Sequence, residues 1–348
     1  MIDRIHFAIE EEALYLFQKK AVYWSLQFPV HMKVFFSVLL FSLCSQFSFS
    51  QVNPWENELI AFFEKEIEVI VLGDLAIKSA KWDELQHPRF WQKIMVLSPD
   101  SVLVNVANTR QIVGRLSNRQ WSSKTEAQKS VFKDSIRSKY QLSSSDRINV
   151  TTGKSDFYRF DLVFESLPRG IACFEESGVD PWFAQSILLI ESPGQLAKSS
   201  VGAYGPFQLM PGVARAMGST VNKTVDERKN FNRSAFAAAQ LLKRSCIPSA
   251  RSIAHSAGLS IDEQSIWFRL LVMHVYHAGA MNVKVVVSEI GKVETGEELI
   301  QKMWITSAAS FGNASQNYSQ LALAAHLQLA EIIAKKSCLI YQCGSANL

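Results

Sequence analysis

A chain of 348 residues, 48% hydrophobic and 20% charged, is long enough for two modest domains around a sizeable core, and its composition excludes a disordered or fibrous protein. The formal net charge of +4 is spread over segments where acids and bases alternate, such as ENELIAFFEKE and KTEAQKSVFKD. That dispersion argues against the basic stripe of a nucleic-acid binder and leaves at most a weak bias toward an anionic matrix.

The first organised segment is Met32-Lys33 followed by VFFSVLLFSLCSQFSFS, residues 34–50. A short positive start, an apolar run and small residues at Ser48 and Ser50 predict a signal peptide over 32–50, cut after Ser50. The run contains several Ser, a Cys and a Gln, and falls short of the roughly 20 apolar residues of a membrane span. Glu10, Glu11 and Glu12 do not belong in an export leader, so residues 1–31 are expected to be an over-called start or an unstructured extension. Cys44 is preceded by Leu43 where a lipoprotein signal needs a small residue, which favours export to the periplasm or cell envelope without a lipid anchor. Beyond the cut lie Cys173, Cys246, Cys338 and Cys343. They allow two disulfides in three pairings, or buried thiols, and Cys338-x4-Cys343 lacks zinc-site spacing.

Residues 51–160 form a smaller N-terminal region, mixed α/β or helical, to which no chemistry is assigned. The apolar positions Leu59, Ile60, Phe62, Phe63, Ile67 and Ile70 predict a helix around 56–72. Val102, Val104 and Val106 alternate as in a short strand, and Ser123-x-x-Glu126 is a capping-box pattern opening a helix near 124–140. A further strand is expected from Arg147 to Thr152, with a turn at Gly153. Gly153-Lys154-Ser155 looks like the end of a phosphate-binding loop, but Ile148 stands where the first glycine is needed, so the segment is read as a turn.

From 161 to 335 the pattern is helical, with a short tail at 336–348. Asp180-Pro181 caps a helix through WFAQSILLIE to Glu191. Pro211 opens a short helix that stops at Gly218, and Ala235 to Leu242 form an alanine-rich one. Ser260-x-x-Glu263 is expected to cap a long apolar helix ending at Gly279, and 316–335 form the last amphipathic helix.

Glu191 is the residue most suggestive of chemistry. It ends an apolar helix and is followed by SPGQLAKSSVGAYGP, a Gly/Ser/Pro-rich loop. A carboxyl group at such a junction can line a cleft, and partial drying there raises its pKa, so that it holds a proton to donate to a glycosidic oxygen. By itself an isolated Glu is far more often an ordinary surface residue.

The context changes that. Glu191-Ser192 and Ser199-x-x-Gly202-Ala203-x-Gly205-x-x-Gln208-Leu209-Met210-Pro211-x-x-Ala214-Arg215 resemble the lytic transglycosylase (SLT) domain. Val275-Tyr276-His277-Ala278-Gly279 is similar to that family's A-Y-N-A-G block, and Ser315-Gln316-Asn317-Tyr318 to its T-x-x-Y. Asp226-Glu227-Arg228-Lys229-Asn230-Phe231 is similar to a segment of the membrane-bound transglycosylase D subtype. All four blocks fall in the family's order, over about 165–335.

The resemblance implies a mainly α protein, a goose-lysozyme-like helical catalytic domain, acting on the glycan strands of peptidoglycan with no cofactor or metal. It implies that Glu191 is the single acid/base, cleaving between N-acetylmuramic acid and N-acetylglucosamine and leaving a 1,6-anhydro end. Carried over position by position, Ser199 and Gln208 would contact substrate or brace the loop, Met210 would pack beside the cleft, Tyr276 would orient Glu191, and Tyr318 would close the other wall. His277 would take the place of the family's usual Asn, adding a group that titrates near neutrality. Pro193-Gly194 replaces the usual aromatic segment, Pro206-Phe207 stands where Leu-Met is common, and the Glu191–Ser199 loop is one residue short. His274 and His277, three apart on a helix, lack a matching third ligand for a metal. Association with the membrane or with other cell-wall enzymes stays open. So do two alternatives, a muramidase- or chitinase-like hydrolase on the same fold and a non-catalytic wall-binding protein.

Overall fold

The computed structural model describes residue 55 and residues 57–64, 67–191 and 198–345, with side chains in the last helix as far as Lys336. The expected leader at 32–50, the extension at 1–31, the Pro193-Gly194 segment and the side chains of Cys338 and Cys343 lie outside the described residues.

The helix expected over 56–72 is instead a hairpin of β1 (Leu59–Glu64) and β2 (Ile67–Leu72), antiparallel, with Leu59 opposite Leu72. The near-continuous apolar run fits a period of 2 as well as 3.6, and its β-branched and aromatic residues favour the strand. Phe62, Val69 and Val71 face inward, while Leu59, Phe63 and Ile70 remain exposed.

Next come α1 (Leu75–Ser79) and α2 (Gln86–Val96), the latter burying Phe90, Trp91, Ile94 and Met95. β3 (Ser101–Val106) and β4 (Ile112–Ser117) lead into α3 (Asn118–Ser122) and α4 (Glu126–Lys139), and β5 (Ile148–Thr152) completes an antiparallel sheet of order β4-β3-β5. Val104, Val106, Val113, Ile136 and Ile148 form a small core between this sheet and α4. The capping box of α4 is Thr125 with Gln128, two residues past the expected Ser123, because Thr125 supplies the extended backbone that a cap requires. Gly153 closes the sheet where an added Cβ would strike the carbonyls of Leu97 and Ser98, so the residue is set by backbone approach.

The remainder is helical: α5 (Ser166–Glu176), α6 (Pro181–Ile190), α7 (Pro211–Ala216) and α8 (Phe231–Leu241), the last running through a π turn at Leu242–Cys246 into α9 (Ile247–Ser256). α10 (Ile266–Ala278), α11 (Ala280–Ile290), α12 (Gly296–Met303) and α13 (Asn313–Ser345) follow. α10 starts later than the Ser260/Glu263 pattern predicts; Ser265 caps it, and Glu263 pairs with Arg251. No helix among the described residues is long and apolar enough to cross a membrane. Cys173 and Cys246 are free thiols, so no disulfide joins them.

α6 is the axis of the helical core, with every residue from Pro181 to Ile190 buried. A helix apolar all round is held by its neighbours, and polar contacts fix its rotation and height. Asp180 accepts from the backbone N–H of Trp182 at 3.0 Å and pairs with the buried Arg269 of α10 at 2.7 Å. Gln185 exchanges two hydrogen bonds with the backbone of Leu72 at the end of β2, at 2.8 and 2.9 Å. His326 of α13 meets Ser186 Oγ at 2.8 Å and stacks on Trp182 with the rings 4.9 Å apart. One hydrophobic cluster contains Phe62, Val71 and Trp91 together with Leu188, Leu271 and Leu323. These contacts determine where the C-terminus of α6, and with it Glu191, emerges.

Asp180→Ala should therefore strand Arg269 as a buried unpaired charge and remove a helix cap. Chemical denaturation should show a loss of about 3–5 kcal/mol; a loss under about 1 kcal/mol would contradict this account of how α6 is held.

Candidate active site

Glu191 is the residue directly after α6, its backbone N–H still bonded to the carbonyl of Ile187 at 2.9 Å. Its side chain is only partly exposed, and Oε1 accepts a 2.7 Å hydrogen bond from the phenol of Tyr318 on α13. Burial raises the carboxyl pKa above its ordinary value, and the Tyr318 bond pulls it partly back by favouring the carboxylate. The ionised Glu191 in turn pushes up the phenol pKa values of Tyr158, Tyr276 and Tyr318, each already raised by burial. Three tyrosines from distant parts of the chain thus feel the charge of one carboxyl group, and Tyr318 bonds to it directly. Tyr158 was not legible as a site residue: in Phe157-Tyr158-Arg159-Phe160 it reads as core, and it is indeed buried.

The loop after position 198 is built by backbone bridges, Lys198 with Tyr204 and Tyr204 with Leu209. Ser199 braces it, since its Oγ accepts from the N–H of Ala203 at 2.9 Å and its carbonyl from Gly202 at 3.0 Å. Gln208 has φ of +45°, in the left-handed region, and its Nε2 donates to the carbonyl of Gly205 at 3.0 Å. A non-glycine residue held there costs of the order of 1 kcal/mol and persists only where its surroundings dictate it. Gly205 has φ of +85°, and an added Cβ would strike the carbonyl oxygen of Arg228.

Arg228 clamps this loop. It is 4% exposed, pairs with Asp226 at 2.7 Å, and donates from Nη1 to the carbonyls of Gly202 and Leu209, both at 2.9 Å. The Asp226–Phe231 segment thus has a visible physical task in this chain, holding the loop beside Glu191. Phe207 anchors it from below, fully buried and stacked on Phe174 with ring centres 5.5 Å apart.

Tyr276, expected to orient Glu191, gives its hydroxyl to the carbonyl of Phe207 at 2.6 Å and so ties α10 to the loop. His277 is exposed and stacks on the ring of Tyr318, 4.3 Å between centres and 19° between planes. Although the residue as a whole is exposed, burial of its ring lowers its pKa. Met210, at the start of α7, is 41% exposed. His274 is fully buried and bonded to Ser319 Oγ at 2.8 Å. Among the described residues no group of three His, Cys, Asp or Glu could hold a metal ion.

Residues 172–295 match the family model of the Transglycosylase SLT domain. This is a family of lytic transglycosylases, lyases that act on peptidoglycan. The matched segment holds Glu191, the Ser199–Arg215 loop, the Asp226–Phe231 clamp and the Val275–Gly279 block, while Tyr158 and Tyr318 fall on either side of it. A search of curated proteins found no match to the chain.

Two outcomes follow from this geometry. Tyr318→Phe removes the donor that favours the carboxylate, so Glu191 should keep its proton to a higher pH than in the parent; a carboxyl-carbon NMR titration checks this, and an unmoved midpoint would contradict it. Gly205→Ala should cost at least about 1 kcal/mol through its positive φ alone, visible as a lower Tm.

Proposed function

We propose that this chain is a peptidoglycan lytic transglycosylase with Glu191 as its only acid/base. The protonated carboxyl of Glu191 donates to the oxygen bridging N-acetylmuramic acid and N-acetylglucosamine, and the C1–O bond breaks. The resulting carboxylate takes the proton of the muramic C6 hydroxyl, whose oxygen closes onto C1 to give the 1,6-anhydro ring. Atoms balance without water, and Glu191 ends the cycle protonated, as it began.

The observation that carries this reading is a carboxyl group dried by its position at the end of α6, yet bonded to a phenol that stabilises its charged form. A group with both roles must be able to hold a proton and also to survive as a carboxylate; burial favours the first and the Tyr318 hydrogen bond the second. Between Ser192 and Gly218 the sequence has no Asp or Glu, which agrees with a one-carboxylate route rather than a two-carboxylate hydrolysis. Exposed Met210 and His277, with Ser199, Gln208, Tyr276 and Tyr318, are read as the lining or support of the glycan groove. The Asp226–Phe231 segment favours the membrane-bound transglycosylase D subtype, and the 32–50 segment favours export to the cell envelope.

Glu191→Gln removes the proton donor with little change of volume. Digestion of purified sacculi should fall by about 10²–10⁴-fold, and the parent's fragments should each be one water lighter than reducing-end products. Parental activity in the variant would end the acid/base assignment, and reducing ends in the parent would make the enzyme a hydrolase.

A further inference from the structure

We infer that Arg110, in the turn between β3 and β4, is a positioning residue for Glu191, acting through Asn317 and Tyr318. The inference rests on the reading of Glu191 as the acid/base, and it gives residues 51–160 a part in the chemistry.

Arg110 is an unusual arginine. It is 5% exposed, and among the described residues it has no carboxylate partner. Its guanidinium lies over the rings of Phe90 and Trp91, 5.3 and 5.4 Å from their centres, and Nε has no hydrogen-bond partner. The surrounding apolar side chains and the charge of Arg147 lower its pKa to about 10. The backbone is also constrained, with φ of +57°. An uncompensated buried charge on a left-handed residue is expensive, and a fold built for stability alone would not keep it.

The two acceptors it does have are Asn105 Oδ1 on β3, at 3.3 Å, and Asn317 Oδ1 on α13, at 2.5 Å. Asn317 immediately precedes Tyr318. One turn further on, Trp91 Nε1 of α2 donates to Gln320 Oε1 at 3.0 Å. Asn317 and Gln320 are three residues apart and so share one face of α13, while Tyr318 projects about 100° round the helix toward Glu191. From the helical side, Ser319 is held by Trp304 Nε1 and by His274, both at 2.8 Å. The first turns of α13 are thus gripped from two directions. The grip through Arg110 and Trp91 sets the helix rotation that aims the phenol at the carboxyl.

The titratable groups packed around this chain of contacts are few. Tyr318 bonds to Glu191, Tyr158 and Tyr276 lie within reach of its charge, Cys246 acts on both Tyr276 and Tyr318, His277 stacks on Tyr318, His274 bonds to the neighbouring Ser319, and His87 and Arg147 flank Arg110. Among the described residues, the Tyr318 hydrogen bond is what pulls the Glu191 carboxyl toward its charged form. Loosening Arg110 should therefore be read out at Glu191 in one direction, upward.

The test compares Arg110→Met, Asn317→Ser, Tyr318→Phe and the Arg110→Met/Tyr318→Phe pair in the full chain. Two quantities are followed: the Glu191 carboxyl titration by NMR, and the alkaline limb of kcat/KM on sacculi. Arg110→Met and Asn317→Ser should move both to higher pH, as Tyr318→Phe does, and the double variant should move no further than Tyr318→Phe alone. Asn317→Ser, which shortens the acceptor while leaving the guanidinium in place, carries the test if Arg110→Met does not fold. A folded variant with a lower Tm but an unmoved Glu191 titration would reduce Arg110 to a purely structural residue, and additive shifts in the double variant would place its effect on a separate route. Loss of the functional reading is distinguishable: parental activity in Glu191→Gln would overturn the acid/base role while leaving the NMR coupling intact.

Discussion

The hydrogen bond from Tyr318 to Glu191 joins residues 127 positions apart and ties the end of α6 to the start of α13. The buried polar contacts along α6 and the first turns of α13 fix the two ends of that bond. A carboxyl group cannot be partly dried and usefully placed by a local sequence; the two helices that dry it must be held at a set separation and rotation. In this protein the setting is polar: Asp180 with Arg269, Gln185 with the end of β2, and Ser186 with His326 lock α6, while Ser319 with Trp304 and His274, and Asn317 with Arg110, lock α13.

Buried polar contacts are a demanding way to hold helices, because each is costly when incomplete. Their reward is directional. Apolar packing among Leu188, Leu271 and Leu323 fills space, but leaves a helix free to slide or turn by a fraction of a residue. A glutamate that must meet a phenol at hydrogen-bond distance cannot tolerate that freedom. The concentration of such contacts along α6 and the first turns of α13 is consistent with a site that needs accuracy more than it needs stability.

The loop of residues 198–210 solves a related problem by other means. It has little regular structure, so Arg228 donates to two of its carbonyls, Phe207 plugs into the core, Tyr276 bonds to its backbone, and Gly205 admits the close approach of Arg228. Residues that in isolation resemble substrate contacts therefore divide. Ser199, Gln208 and Tyr276 spend their visible hydrogen bonds on the loop itself, whereas His277 and Met210 face outward.

Sequence by itself determined the helical half. The Asp180-Pro181 start, the apolar run to Glu191, the glycine-rich loop and the helix ending at Gly279 are local signals, written in caps, periodicity and turn residues. Two strands of the small sheet were also legible, β3 in its alternating valines and β5 near its observed bounds, whereas β4 was not. The hairpin over 59–72 was not, because an almost unbroken apolar run carries no period, and only the core beneath Phe62, Val69 and Val71 selects the strand. Nor could local pattern show that Tyr158 lies within reach of the Glu191 charge, that Tyr276 bonds to Phe207 rather than to Glu191, or that Arg110 reaches Asn317. Those pairings join residues 33 to 207 positions apart. Their existence depends on how separate elements pack, and packing is a property of the assembled tertiary structure.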